Sequence, residues 1–550
     1  MSLSSDAGKA GRAITVVPLA SLVWLAVTAV FLTLRAAVIW EVPVGGSEWV
    51  HLSGAWNASI GVDDERFVPT LFQAFTAVLL ELDSSEALPR TLAFLATASL
   101  PLAVYLLREQ IGTVAGLLAL LLLAIDAPSL WLGVAATSSG FDVALTAWLL
   151  VFLVRPGLPW WPWPVLGFAV VTAGPVPLVL AFAAAFMAIL RGSPLPPVPA
   201  LVTASAALIG VLVASLGFGY GWQGILVPPI ELFAQTYEAD WTTGSALHVA
   251  WLYSWPLLIA GAVAAVLELR RWREPPLEPD SVFTVRRLAT AWFLAGLLSF
   301  LVGMSTNAAV TLAAATLPAA FIVAPWLGRA IDATFATRDG YAWLGLGIVL
   351  FLAALAMIVI VDWARFDRVG PGGEVARVVI LGAATAAGLA ALAYLPRSRA
   401  VLTVPAVFVA ALVLVSGAFH VAFGSRMEPF PSPQSPVQAE TLADLALEQL
   451  EATEDTLVVH ESLRDRVTWP FRETTTLVIA TTIPQDAGVA IVPAGESPPD
   501  GMVPLEGDWS LEHHIEQPAF ELIRYVRWFT DRNRTDVDRV PVEVFVRGDE

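Results

Sequence analysis

The 550-residue chain contains no cysteine, and Lys9 is the single lysine among its 30 basic residues. The first absence excludes disulfides, thiolate metal centres and a cysteine nucleophile together. Any chemistry therefore falls to carboxylates, His, Tyr, hydroxyls or Arg. Charge is scarce as well: 14% of residues are charged against 57% hydrophobic, and the mean hydropathy is +0.71. Soluble domains average about 25% charged and about 45–50% apolar, so this chain has too few polar groups to cover a globular surface. That excludes a compact soluble enzyme, a fibrous repeat and a disordered chain. No Gly-rich phosphate loop or dinucleotide fingerprint occurs, and neither an ATP site nor a nucleic-acid partner is expected.

What is present is a series of apolar runs near the ~20 residues that cross a bilayer as a helix. They fall at 14–40, 87–107, 111–126, 139–154, 163–173, 175–190, 199–219, 245–269, 288–305, 307–328, 341–361, 375–395 and 400–424. The fifth and sixth are separated only by Thr172-Ala173-Gly174-Pro175 and could form one kinked helix, giving twelve spans instead of thirteen. Arginine placement favours thirteen. With that count, 14 basic residues face inward and 6 lie in or near outward parts, as the positive-inside rule requires. The N-terminus is then inside, the first apolar stretch stays as a span and not a cleaved signal, and the C-terminus is outside.

Acidity is unevenly placed. From Arg426 to Glu550 there are 24 carboxylates and 10 arginines, so −14 of the net −18 sits in the last quarter. The expected organisation is therefore an all-α polytopic membrane domain over 1–425, a Pro/Ser linker at 426–437, and a small extracytoplasmic α/β domain at 438–550. In that domain a helix is expected at 438–451, strands at 456–459, 475–480, 489–492 and 542–546, and another helix near 518–530. His513-His514, flanked by Glu512 and Glu516, reads as a surface loop, because adjacent residues do not face one metal sphere.

Two outward segments are long enough to hold a site. Residues 41–86 include Gly45-Gly46-Ser47-Glu48-Trp49, His51, the trio Asp63-Asp64-Glu65, Arg66, and an apolar stretch from Phe67 to Leu82 read as an interfacial helix. The other, 220–244, carries Glu231, Tyr237 and Glu238, suited to sugar or acceptor contacts. Three further residues stand out. Arg90 follows Pro89 at a helix start, where a cation opposes the helix dipole; it needs a partner such as Glu86 or a lipid phosphate, or it snorkels to the headgroups. Asp142 opens an apolar span as a helix cap or as a functional carboxylate. Asp126, ahead of Pro128, reads as a turn residue.

The order of these pieces resembles the GT-C membrane glycosyltransferases, in the protein-mannosyltransferase and aminoarabinose-transferase branch. It is carried by Ser47-Glu48-Trp49-Val50-His51 opening a surface helix, Val68-Pro69-Thr70-Leu71, Leu88-Pro89-Arg90, Phe141-Asp142, and Thr172-Ala173-Gly174-Pro175. Composition is similar to that of acidic, lysine-poor proteins of salt-loving archaea, and Trp469-Pro470-Phe471-Arg472 is similar to a Trp-Pro patch in archaeal members.

The resemblance implies transfer of a sugar, mannose above all, from a dolichyl or other polyprenyl phosphate to a glycan or glycoprotein acceptor at the outer membrane face. Glu48 and Asp142 would be catalytic, with Arg90, Arg66, His51, Asp63, Asp64, Glu65, Glu231, Tyr237 and Glu238 contacting substrate. No cofactor is called for, and a divalent metal is left open. The family's catalytic Asp stands where this chain has Ser47, and its phosphate-holding Lys where it has Ala173. The base is then Glu48 or one of Asp63, Asp64 and Glu65; alternatively the chain is a non-catalytic lipid-linked-sugar transporter or flippase-associated protein. The loop holding Glu48 is expected to be exposed.

Overall fold

The computed structural model describes residues 19–41, 44–45, 47–61, 71–137, 139–154, 176, 179–180, 183–184, 186, 247, 249–272, 284–302, 308–336, 398–423, 437–453, 456–467, 469–472, 477–485, 487–497, 501–515, 528 and 537–547. It is mostly helical, with a small sheet near the C-terminus. The first helix, α1 (Leu19–Glu41), is an apolar run without proline, interrupted by Arg35. Two shorter helices follow, α2 (Ser47–Ser59) and α3 (Leu71–Leu82), which pack together as a hairpin.

Backbone breakers then cut the apolar sequence into pieces. Helices α4 (Ala87–Thr97) and α5 (Leu100–Ile111) meet at Ser99, where Pro101 begins the second one and withholds an amide from the ladder. Gly112 turns the chain with φ 96°, a conformation that penalises any side chain. Helix α6 (Thr113–Ile125) stops at Asp126, and α7 (Ala127–Leu132) and α8 (Ser139–Val154) follow. A π-helical turn (Ala250–Ser254) leads into α9 (Trp255–Arg271), then come α10 (Val285–Val302), α11 (Ala308–Ala336) and α12 (Ser398–Phe423).

Among the described residues, four segments are long and apolar enough to span a membrane: Ala20–Trp40, Ala87–Ile111, Ala250–Arg271 and Leu312–Arg329. The expectation of thirteen includes runs outside the described residues, and the described ones support these four. The runs at 111–126 and 139–154 yield apolar helices of only 13 and 16 residues, and α10 begins with Arg286 and Arg287 in its first turn. The spans expected at 163–173, 199–219, 341–361 and 375–395 lie outside the described residues, as does most of 175–190.

Burial sorts the spans by position. In α11, 83% of the apolar window is buried, against 28% in α1. The first is therefore central, and its Ala313, Ala315, Ala319, Ala320 and Ala324 let neighbouring helices approach closely. The other is peripheral, with Leu22, Leu25 and Trp40 exposed.

The C-terminal region pairs α13 (Val437–Thr453) with β1 (Thr456–His460), α14 (Arg464–Val467), β2 (Leu477–Ala480), β3 (Ala487–Pro493), β4 (Met502–Pro504), β5 (Ser510–Ile515) and β6 (Val537–Arg547). Sheet order is β2-β1-β3-β6-β4, with β5 also paired to β6. Strand β1 is parallel to β2 and β3, while β6 is antiparallel to β3, β4 and β5. Helix α13 buries Ala439, Leu442, Ala446 and Leu450 against Leu457, Val459, Ile491 and Val544. The expected surface loop at His513-His514 is instead strand β5, and Glu512 is ion-paired to Arg466. Of the helix expected near 518–530 only Trp528, helical, is described.

Among the described residues, Trp469, Arg472 and Trp528 make contacts that join this region to the helical part. Trp469 enters the apolar cluster of α2 and α3. Trp528 meets Tyr253 of the π turn edge to face, with ring centroids 5.6 Å apart.

Candidate active site

Glu48 is the second residue of α2, where a carboxylate complements the helix dipole. Its side chain is fully buried, which corrects the expectation of an exposed loop carboxylate. Arg90, in the first turn of α4, is buried with it: Nε donates to Glu48 Oε1 at 2.7 Å and Nη2 to Oε2 at 2.9 Å. This side-on, two-point pairing is the strong form of a guanidinium–carboxylate bond. Nη1 donates to the Ile39 carbonyl at 3.0 Å, in the last turn of α1. A cation misplaced at the start of its own helix thus sits at the end of another, where carbonyls lack amide partners. Toward Glu86, Arg90 makes a backbone bond, its N–H donating to the Glu86 carbonyl at 3.0 Å. Snorkelling is excluded by burial.

The third bond to Glu48 comes from the chain between α7 and α8. The Ala136 N–H donates to Oε1 at 2.8 Å. Six residues further, Asp142 lies in the first turn of α8, 1% exposed, and its Oδ1 has no hydrogen-bond partner. That oxygen caps no neighbouring amide. The start of α8 is held by Phe141 against Phe72 of α3, with centroids 5.6 Å apart, and by Gly140 facing Ala93 of α4. Ser53 Oγ and Trp49 Nε1 on α2 are likewise buried without partners. Orphaned buried polar atoms are rare enough in folded chains that each asks for a reason.

His51 faces α3, where Gln73 Nε2 donates to its Nδ1 at 2.8 Å. Removal from water lowers the imidazole from 6.5 to about 4. The cluster of Val44, Trp49, Leu52, Ala55, Ala77, Leu80 and Ala136 is closed by Trp469. Arg472 stacks on Trp469, with Cζ 4.2 Å from the ring, and its Nε donates to the Ser84 carbonyl at 2.6 Å.

The expected residues thus divide in two. Glu48 and His51 on α2, Arg90 on α4 and Asp142 on α8 belong to elements that contact one another, α2 and α8 through α4 and α3. Asp63, Asp64, Glu65, Arg66, Glu231, Tyr237 and Glu238 lie outside the described residues. The Ala136 amide and Trp469 were not picked out as site residues, and a backbone amide leaves no trace in sequence. Among the described residues no group of three or more His, Asp or Glu is placed to hold a metal ion.

The protein-family models contain no match to this chain, and the curated proteins contain none.

Proposed function

We propose that the protein is a membrane glycosyltransferase that moves a sugar, mannose in the first instance, from a polyprenyl phosphate such as dolichyl phosphate to a glycan or glycoprotein hydroxyl. In this reading the full chain crosses the cell membrane thirteen times and works at its outer face, with the C-terminal domain extracytoplasmic. The observation that carries it is the buried, partnerless Oδ1 of Asp142 beside elements locked by the Glu48–Arg90 pair.

Glu48 has both oxygens committed to donors, so it serves as the anchor, and Asp142 is the proton acceptor. The acceptor hydroxyl oxygen attacks the anomeric carbon and forms the new glycosidic bond. The bond from that carbon to the phosphate oxygen breaks, its electron pair leaves on the polyprenyl phosphate, and the hydroxyl proton passes to the Asp142 carboxylate. Arg66 supplies positive charge toward the phosphate, while Arg90, expected to share that role, is held by Glu48 and the Ile39 carbonyl. His51, Asp63, Asp64, Glu65, Glu231, Tyr237 and Glu238 are assigned to sugar and acceptor contacts. Ser53 Oγ and Trp49 Nε1 are further partners for sugar hydroxyls.

One observation favours a second reading, a lipid-linked-sugar transporter or flippase-associated protein. The residue at the family's base position is Ser47, and Glu48 beside it is tied to Arg90. Full-length protein in liposomes containing polyprenyl-phosphate [¹⁴C]mannose and membrane glycan acceptors separates the two. Labelled acceptor supports the transferase; movement of intact donor across the bilayer with no labelled acceptor supports the transporter.

A further inference from the structure

The chain reaches Glu48 by a detour. Helix α6 ends at Ile125, Asp126 is extended with φ −81° and ψ 105°, and α7 turns the chain for six residues before Ala136 arrives at the carboxylate. A break of this kind strands carbonyls of one helix and amides of the next, and in apolar surroundings each must find a partner inside the protein.

Two side chains supply those partners. Arg35 Nη2 donates to the Leu123 carbonyl at 3.1 Å, to the Ser129 carbonyl at 3.4 Å and to Ser129 Oγ at 3.1 Å. Asp126 Oδ2 accepts the Ser129 N–H at 3.3 Å and Thr316 Oγ1 at 2.8 Å, and Oδ1 accepts Ser254 Oγ at 3.3 Å. All five side chains are buried. They gather α1, the α6–α7 break, the π turn and α11 at one point. The π turn ends at Ser254; such turns shift helix register by one residue and recur at functional sites. Gly133, just after α7, lies so close that a Cβ there would stand 3.1 Å from Arg35 Nε. Ionisable groups within an apolar bundle are costly and are retained where they perform a task.

We propose that Arg35 and Asp126 are positioning residues: they fix the α6–α7 break so that the Ala136 N–H meets Glu48 and the head of α8 presents Asp142. The functional part rests on the transferase reading of the site, whereas the structural part does not.

Hydrogen exchange read by mass spectrometry on the full chain in detergent tests the structural part through the segment Gly133–Thr137. Thr316→Val removes one donor to Asp126, and Asp126→Leu removes the whole acceptor. Both should speed exchange in that segment by about two- to tenfold, the effect of one lost bond, while Ala87–Thr97 exchanges as before. Asp126→Asn keeps one acceptor oxygen and should restore part of the protection. In liposomes, turnover should fall in the same order with KM for the donor unchanged, because the damage is to alignment and not to binding. Unchanged exchange at Gly133–Thr137 in Thr316→Val and Asp126→Leu overturns the proposal, as does faster exchange spread evenly through α4. Faster local exchange with undiminished transfer upholds the bracket and removes the transferase chemistry from this site.

Discussion

A buried ion pair makes each partner depend on the other. Glu48→Gln leaves the Arg90 guanidinium buried beside a neutral amide, and breaking such a pair from one side costs about 3–5 kcal/mol. Denaturation in detergent should show a loss of that order, and Glu48→Leu combined with Arg90→Met should recover part of it because no charge is stranded. His51 gives a pH signature. Its imidazole titrates near 6.5 when unfolded and near 4 when folded, so between those values the unfolded state binds more protons. Stability is complete above about 6.5 and declines as pH falls through that window; melting curves of His51→Gln should lose that part of the slope. At this scale Arg90's need for a partner was legible, since a cation at a helix start opposes the dipole. The partner's identity was not, because Glu48 lies 42 residues away and spacing along the chain does not encode contacts between α2 and α4.

Between elements, the α2–α3 pair is held by α4, by the α7–α8 connection and by Trp469. Trp469→Ala removes a large ring from that cluster, a change that costs about 3–5 kcal/mol in a packed core. Amides of α2 should then exchange faster while β1 and β3 stay protected, and equal acceleration in both would mean that Trp469 serves its own domain instead of the docking. Strands β1, β2, β3 and β6 were readable from runs of Val, Ile and Thr. Strand β5 was not: Glu512-His513-His514 is polar, yet pairing uses the backbone, and β6 supplies a long partner edge. The described residues support four of the thirteen expected spans for a related reason. Hydropathy sees composition, whereas the helices at Thr113–Ile125 and Ser139–Val154, of 13 and 16 residues, are shorter than a bilayer crossing needs.

For the molecule as a whole, the mostly helical, membrane-compatible character and the separate acidic sheet region follow from where charge is missing and where it accumulates. The docking of Trp469 brings that sheet region against α2 and α3, and α2 holds Glu48. The central claim is that Asp142 accepts a proton during sugar transfer. Asp142→Asn keeps size and any hydrogen-bonding oxygen but removes the charge. Transfer from polyprenyl-phosphate [¹⁴C]mannose by the reconstituted full chain should fall by about 10²–10⁴-fold, the range for a lost general base, with abundance and melting unchanged. Asp142→Asn protein that transfers at the wild-type rate, while Asp142→Ala loses abundance, would contradict the account and leave Asp142 a structural residue at the head of α8.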